Sequence, residues 1–559
     1  MRRNVAIGIQ NFEQLITEKC FYVDKTNFIK EWWDSKDSVT LITRPRRFGK
    51  TLNMSMLECF FSNKYADCGH LFEGLNIWKY ADYRNIQGTY PVISLSFANV
   101  KETNFKAAYT KIVQILSSAY DNHRYLLDSS KLMDYEKKTF LKILEADNEM
   151  DATMMSMALH KLSEYLYKHY GKKVIILLDE YDTPMQEAYV DGYWDELTVF
   201  LRSIFNSTFK TNPYLERGMM TGITRVSRES MFSDLNNLEV VTTTSNKYET
   251  AYGFTETEVF EAMAEMELTE NDKVKFWYDG FTFGNTSDIY NPWSILNYLN
   301  KGKFEIFWAN TSSNSLVGKL IREGSPNIKK KFEYLMQGGI LETKIDEQIA
   351  YNQLNDNPGA IWSLLLASGY LRIVSVDIET SDYKLKITNY EVEKMFRTMV
   401  SGWFANDEDN YNDFIKALLL GDKKAMNRYM NRVTLSMFSY FDTGDRPSEA
   451  EPERFYHGFV LGLIVDLRDK YVITSNRESG FGRYDIMLEP IEKEKYDGII
   501  IEFKVYDEDD EKGLKDTVKE ALRQIEEKNY AQILLDKGVK AERIRKYGFA
   551  FKGKLVEIG

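Results

Sequence analysis

The segment Ile42–Leu57, I-T-R-P-R-R-F-G-K-T-L-N-M-S-M-L, sets a glycine, a lysine and a threonine between a short apolar strand and an apolar-periodic helix. That junction constrains the chain more than any other feature, because a phosphate-binding loop has to sit at the entry to a helix. Gly49 lets the backbone approach phosphates, Lys50 supplies a point charge, Thr51 offers a hydroxyl to Mg2+, and the helix N-terminus adds its positive end. The usual G-x-x-x-x-G-K-[ST] spacing would place its first glycine at position 44. This chain has Arg44 there, followed by Pro45, which has no N–H to donate. The plainer reading of R-P-R-R is an exposed basic loop ahead of a helix.

A second motif favours the nucleotide. Lys173–Glu180, K-V-I-I-L-L-D-E, is an apolar run of strand length ending in two carboxylates, as expected of a buried parallel strand whose C-terminal end meets a ligand. In this Walker B pattern Asp179 would hold Mg2+ through its water shell and Glu180 would polarise the attacking water, since phosphoryl transfer needs positioning and charge neutralisation. A buried strand that merely ends in an acidic turn is the competing reading. Two strands ending in complementary halves of one site weigh against it.

Further segments extend the pattern: F-Y-V-D-K-T from Phe21, L-L-D-E-Y-D-T-P from Leu177, T-G-I-T-R-V-S from Thr221, L-N-N-L from Leu235, Y-G-F-T-E-T-E-V from Tyr252, Y-D-G-F from Tyr278, Y-N-P-W-S-I-L from Tyr290 and S-G-Y-L-R from Ser368. Over nearly its whole length the sequence resembles bacterial AAA-ATPase-like proteins that carry a C-terminal nuclease domain of the PD-(D/E)XK superfamily. The resemblance implies that the arginine-rich loop is the usual form, with Arg46, Arg47, Phe48, Gly49, Lys50 and Thr51 as the nucleotide-binding segment. What Arg44 leaves open is hydrolysis more than binding.

Composition fits a multidomain globular chain. Its 559 residues are 43% hydrophobic and 28% charged, with no disorder signature. Cys20, Cys59 and Cys68 are too few and too irregular for a disulfide framework or a zinc ribbon, and the five histidines are scattered, so a reducing, cytoplasmic setting is expected. Neither a signal-length nor a membrane-spanning apolar run is present. A net charge of −12 argues against coating nucleic acid by bulk electrostatics but allows a local groove. The tail from Lys537 to Lys554 is basic, with Lys540, Arg543, Arg545, Lys546, Lys552 and Lys554 against Glu542 alone; a closing strand with a solvated face is favoured over a dedicated binding patch.

The N-terminal half alternates strands (38–43, 91–97, 174–178, 218–223, 239–244) with helices (50–62, 105–120, 154–170, 194–208), which implies a parallel sheet covered on both faces with ligand at the strands' carboxyl ends. Thr221 and Thr224 would end the strand beside the Walker B strand and sense the terminal phosphate. Arg225 and Arg228 are in reach of that phosphate in the same subunit or, in a homo-oligomer, in a neighbour, as an arginine finger is, although a surface position is the favoured reading for arginines after a strand. The expected domains are a three-layer P-loop ATPase-like domain at 1–250, a mostly helical lid and connector at 251–445, and an α/β restriction-endonuclease-like domain at 446–559.

The last block reads as helix 453–467, strand 471–477, a turn at Gly480-Phe481-Gly482, strand 483–488, strand 498–506, helix 512–528 and a strand near 547–551. Asp485 lies on the second strand. Glu502 and Lys504 are two apart on the third, so they share a face while Phe503 turns to the core. Asp485, Glu502 and the Phe503 carbonyl are hard oxygen ligands for Mg2+ or Mn2+, and Lys504 would orient or help deprotonate the attacking water. The resemblance adds Glu453 as a supporting metal ligand, sharing a helix face with His457, and matches Gln524 to a glutamine placed beside the catalytic lysine. An alternating Glu and Lys on a strand is often a solvated face, but the apolar run 498–501 marks a central strand where bare charges are costly.

The expected protein is therefore an ATP-binding and ATP-hydrolysing module that regulates or drives a metal-dependent nuclease acting on nucleic acid, DNA above all. Two other classes stay open: a nucleotide-sensing signal protein that barely turns ATP over, and a nucleic-acid-binding scaffold with a vestigial nuclease fold.

Overall fold

The computed structural model describes residues 3–146, 150–225, 232, 235–308, 317–318, 320–321, 326–346, 359–377, 379–403, 411–437, 460, 464, 467, 470–479, 482–507, 511–552 and 555–559. The chain forms two units, Met1–Val317 with Gly338–Val392, and Gly318–Gln337 with Glu393–Gly559.

In the first unit the apolar runs become strands: β1 (Val39–Thr43), β2 (Val92–Ser96), β3 (Val174–Asp179), β4 (Leu215–Gly222) and β5 (Leu238–Val241). Every residue of β1 and β3 is buried, which is why neither alternates with polar residues. All pairings are parallel, in the order β2-β3-β4-β1-β5. Helices Lys50–Phe61 and Ala158–Tyr170 pack on β3, and Phe105–Asp121 packs on β2. Asn104 caps the last of these from its side chain, and Gly171 closes Ala158–Tyr170 in the left-handed conformation. The strand ends are tied together where a ligand would sit: Arg44 N–H donates to Gly222 O, Tyr181 N–H to Thr221 O and Phe97 N–H to Asp179 O.

Several elements differ from the sequence expectation. The helix expected over 154–170 is two helices, Ala152–Ser156 and Ala158–Tyr170, because Asp151 caps Thr153 and Met154 and starts a separate turn. The helix from Trp194 stops at Phe205 and widens into a π-turn over Asn206–Lys210. The stretch expected to be mostly helical also carries two antiparallel sheets. One is β6 (Phe254–Thr255), β7 (Phe281–Phe283) and β8 (Thr286–Tyr290); the other is β9 (Leu341–Lys344), β10 (Leu371–Asp377) and β11 (Asp382–Ile387). Buried Phe281, Phe283 and Ile289 flanking a Gly284-Asn285 turn are a hairpin pattern that a helical reading of this aromatic segment overlooks.

The second unit has β12 (Tyr471–Ser479), β13 (Gly482–Pro490), β14 (Gly498–Val505), β15 (Ile544–Lys552) and β16 (Leu555–Ile558) in sequential order. Only β14 and β15 are parallel, with helix Leu514–Glu527 crossing between them. The helix expected over 453–467 lies largely outside the described residues, and so do Gly480 and Phe481 of the expected turn. Val460, Ile464 and Leu467 are described, and all three are buried in the core with Ile486, Ile501 and Phe549. Edge strand β16 is covered: Asn427 and Asn431 of helix Lys423–Met437 exchange amide hydrogen bonds with the backbone of Ile558 and Val556. Among the described residues no helix is long and apolar enough to cross a membrane.

Candidate functional site

At the carboxyl ends of β1, β3 and β4 the expected nucleotide residues meet. Thr51 Oγ1 donates to Asp179 Oδ2 at 2.7 Å, and Thr221 Oγ1 donates to the other carboxylate oxygen. Lys50 Nζ donates to the carbonyls of Arg44 and Pro45, each at 2.9 Å, so its ammonium lies against the loop's own backbone. Burial lowers the lysine's proton affinity, opposed by the charges of Glu180, Asp179 and Asp182, while burial raises that of Asp179. Glu180 stands at a left-handed φ of 51° and accepts from Thr183 Oγ1. Gly49 caps the helix at φ 83° with no atom within 4 Å of where a Cβ would stand. An ammonium, a carboxylate, two hydroxyls and a twelve-residue helix's N-terminus form a donor set that fits a magnesium polyphosphate.

Asp182, in the L-L-D-E-Y-D-T-P segment but without an expected role, belongs to the site as well. It is 3% exposed and accepts from Ile223 N, Thr224 N and Thr224 Oγ1, which fixes the loop after β4. Arg225 follows that loop, half-buried; Arg228 lies outside the described residues.

The arginine-rich loop is exposed only at Arg47, with Arg46 half-buried. Arg44 is fully buried, with its guanidinium donating to Thr43 O, Thr242 O and Lys247 O and lying 4.5 Å from the Phe283 ring centroid. Burial pulls its pKa down to about 10. Arg46 reaches Gln186 Oε1, Arg47 lies over the Trp293 ring, and Phe48 is buried edge-on to Phe281 and Phe283. The Phe48 side chain is thus core, and its carbonyl accepts from Gly253 N–H.

In the second unit, the antiparallel register Ile486↔Ile501 brings Asp485 beside the Glu502–Phe503 step, and Phe503 N–H donates to Asp485 Oδ2 at 2.8 Å. Glu502 is 3% exposed and accepts from Gln524 Nε2 of helix Leu514–Glu527. Lys504 shares the Glu502 face of the strand and acts electrostatically on Glu520. Tyr530, which carries no sequence signature, belongs here too. Its hydroxyl hydrogen-bonds Gln524, and burial raises its pKa with help from the charges of Glu502 and Asp485. Two carboxylates and a backbone carbonyl suit a hard divalent ion. Glu453 and His457 lie outside the described residues. The basic tail is largely paired: Lys537 with Glu489, Lys540 with Glu494, Arg543 and Arg545 with Asp497, and Lys546 with Glu526.

A further acidic group, Glu256, Asp279 and Asp288, has carboxylate oxygens within 4.8 Å of one another, with Lys275 bridging Glu256 and Asp288. Burial, then contact with Asp288, raises the Asp279 pKa to about 7. A carboxyl raised in the folded state contributes stability that is complete below about pH 4 and is lost as pH rises through about 7. Asp279→Asn is therefore expected to raise the unfolding midpoint at pH 8 by about 1–2 °C, on the order of 1 kcal/mol, with the gain shrinking toward pH 4. Thermal melts across that range check it.

A five-stranded parallel sheet with a phosphate loop after β1 and an acidic pair after β3 defines a P-loop nucleotide-binding module. The mixed sheet with Asp485, Glu502 and Lys504 on adjacent strands defines a restriction-endonuclease-like module. Comparison agrees: residues 6–232 match the family model described as predicted AAA-ATPase, and residues 451–559 match that of the PD-(D/E)XK nuclease superfamily. The chain joins an AAA-ATPase-like module to a PD-(D/E)XK nuclease-superfamily module. Over 397 residues it is 24% identical to the "Uncharacterized protein in vnfD 5'region" of Azotobacter chroococcum mcd 1, covering 70% of this chain and 69% of that protein.

Proposed function

We propose that the protein binds and hydrolyses ATP at the first site and, under control of that site, cleaves DNA at the second with Mg2+ or Mn2+. The observation that carries the reading is the pair of hydrogen bonds that join Asp179 to Thr51 and Thr221, because they link the phosphate loop, the acidic strand and the sensing strand through one carboxylate.

Magnesium ATP, when bound, supplies the transferable phosphoryl group and a cation that offsets its charge. Lys50 exchanges its loop carbonyls for phosphate oxygens, Thr51 and Asp179 hold the metal's shell, Glu180 orients water, and Thr221 reports on the terminal phosphate. In the second unit Asp485, Glu502 and the Phe503 carbonyl hold the divalent ion, Gln524 and Tyr530 fix the Glu502 carboxylate, and Lys504 orients the attacking water. Arg225 is assigned to the nucleotide site as a contact for the terminal phosphate.

Incubation of the purified chain with linear and circular DNA in Mg2+ or Mn2+ tests the nuclease half. Cleavage that EDTA abolishes and added metal restores is the expected result. Intact DNA in both metals, with and without ATP, would reject it.

A further inference from the structure

The phosphate loop is held from outside by a segment some 250 residues downstream in the same unit. The Arg46 carbonyl accepts from Trp308 Nε1 at 2.9 Å and from Asn291 Nδ2 at 3.3 Å. Both donors are fixed in turn. Asn291 is 1% exposed and caps helix Pro292–Lys301 through its oxygen, accepting from Trp293 N and Ser294 N. The Trp308 backbone N–H donates to Glu391 Oε1 at 2.7 Å, and Glu391, 1% exposed, also accepts from Phe307 N and Ser294 Oγ. The Trp308 ring is buried against Phe281 and Tyr370. Gly369, at φ 84°, packs so closely on Pro45 that a Cβ there would stand 2.9 Å from the proline ring.

These contacts fall on a backbone that needs them. Arg47 has φ 65° and Gly49 φ 83°, two left-handed residues two apart, and alternation of this kind turns successive N–H groups into an anion-binding concavity. The conformation is natural for Gly49 but unfavourable for Arg47, and it persists only where the surroundings over-determine it. The Arg46–Arg47 peptide is trans, so fixing its carbonyl toward Trp308 and Asn291 fixes the Arg47 N–H toward the opposite side of the loop. The Arg47 guanidinium, 4.4 Å over Trp293, holds the same residue from its other end.

We propose that Trp308 and Asn291 are positioning residues of the nucleotide site: their hydrogen bonds to the Arg46 carbonyl keep the Arg47 N–H aimed at the phosphates. The inference rests on the ATP-binding reading above.

Titration of the full chain with a fluorescent ATP analogue and Mg2+ tests it. Trp308→Phe keeps the ring and removes the N–H donor. Asn291→Asp keeps the cap oxygen and removes the amide donor, so it decides the matter if the first variant does not fold. Each folded variant is expected to bind about 5–20-fold more weakly than the parent, the size of losing one hydrogen bond to a part-buried carbonyl. In protein labelled with 15N-tryptophan, the indole peak that disappears in Trp308→Phe is expected to shift when magnesium ATP is added to the parent, which a merely structural contact would not produce. Folded variants that bind within twofold of the parent, or an indole peak that stays still on saturation, overturn the inference. A parent that does not bind the analogue overturns the ATP reading itself, an outcome separate from either.

Discussion

Replacing Asp485 with alanine is expected to reduce metal-dependent DNA cleavage by at least about 10²–10³-fold while leaving the chain folded. The carboxylate has two roles. One oxygen accepts from Phe503 N–H, which fixes the strand that also carries Glu502 and Lys504, and in the proposed reaction the carboxylate holds the divalent ion. Asp485→Asn separates the two, because its amide oxygen can still accept from Phe503 N–H while the charge is gone. It is expected to be as inactive as Asp485→Ala. Lys504→Ala should lose a similar factor, since it removes charge that offsets the transition state, and combining it with Asp485→Ala should add little, because residues that act as one unit are not additive. Initial cleavage rates with Mn2+ measure all four variants. An Asp485→Asn protein that cleaves at the parent's rate would remove the metal role from this residue.

Restoring the usual glycine at position 44 is expected to damage the protein. By motif alone, Arg44→Gly completes G-x-x-x-x-G-K-T and should improve phosphate binding. In the structure Arg44 is a buried strut whose guanidinium satisfies three carbonyls across β1 and the segment after β5 and stacks on Phe283. The variant removes the guanidinium from Thr43 O and Lys247 O, leaves Thr242 O with Ser245 N–H alone, opens a cavity the size of the side chain and loosens the loop, at a cost of roughly 3 kcal/mol or more. The expected measurement is a denaturation midpoint well below that of the parent, with ATP affinity no better. A stable variant that binds ATP more tightly would show that Arg44 obstructs the cradle.

Much of this was legible because its physics is local. A strand buried on both faces has to be continuously apolar, so β1 and β3 announced themselves, and the residues that end them followed. The period of two on β14 placed Glu502 and Lys504 on one face for the same reason. What escaped was long-range. Nothing near Arg44 says that its guanidinium turns inward, because the carbonyl of Thr242 and the ring of Phe283 that receive it arrive some 200 residues later. Nothing near Trp308 or Asn291 in the sequence ties them to the phosphate loop, and only the tertiary fold shows the Arg46 carbonyl between them. Asp182 sits in a motif whose two preceding carboxylates draw the attention, although it is the one that holds the loop after β4. Tyr530 follows a helix end with no pattern around it. The hairpin Phe281–Tyr290 was misread because its aromatic residues also suit a helix's apolar face, and the Gly284-Asn285 turn is the cue that decides. The basic tail was legible in its charges, which meet carboxylates from β13, the loop before β14 and helix Leu514–Glu527, but not in its place, since β15 lies between β14 and β16 and it is β16 that closes the sheet.

Whether the nucleotide site controls the nuclease site is read from cleavage of one DNA substrate without nucleotide, with ATP and with ADP, by the parent and by Lys50→Ala. The parent's rate is expected to differ between nucleotide states by about fivefold or more, the range of ordinary coupling energies, and Lys50→Ala is expected to cleave at one rate in all three. A parent that cleaves equally fast in every nucleotide state would refute that control.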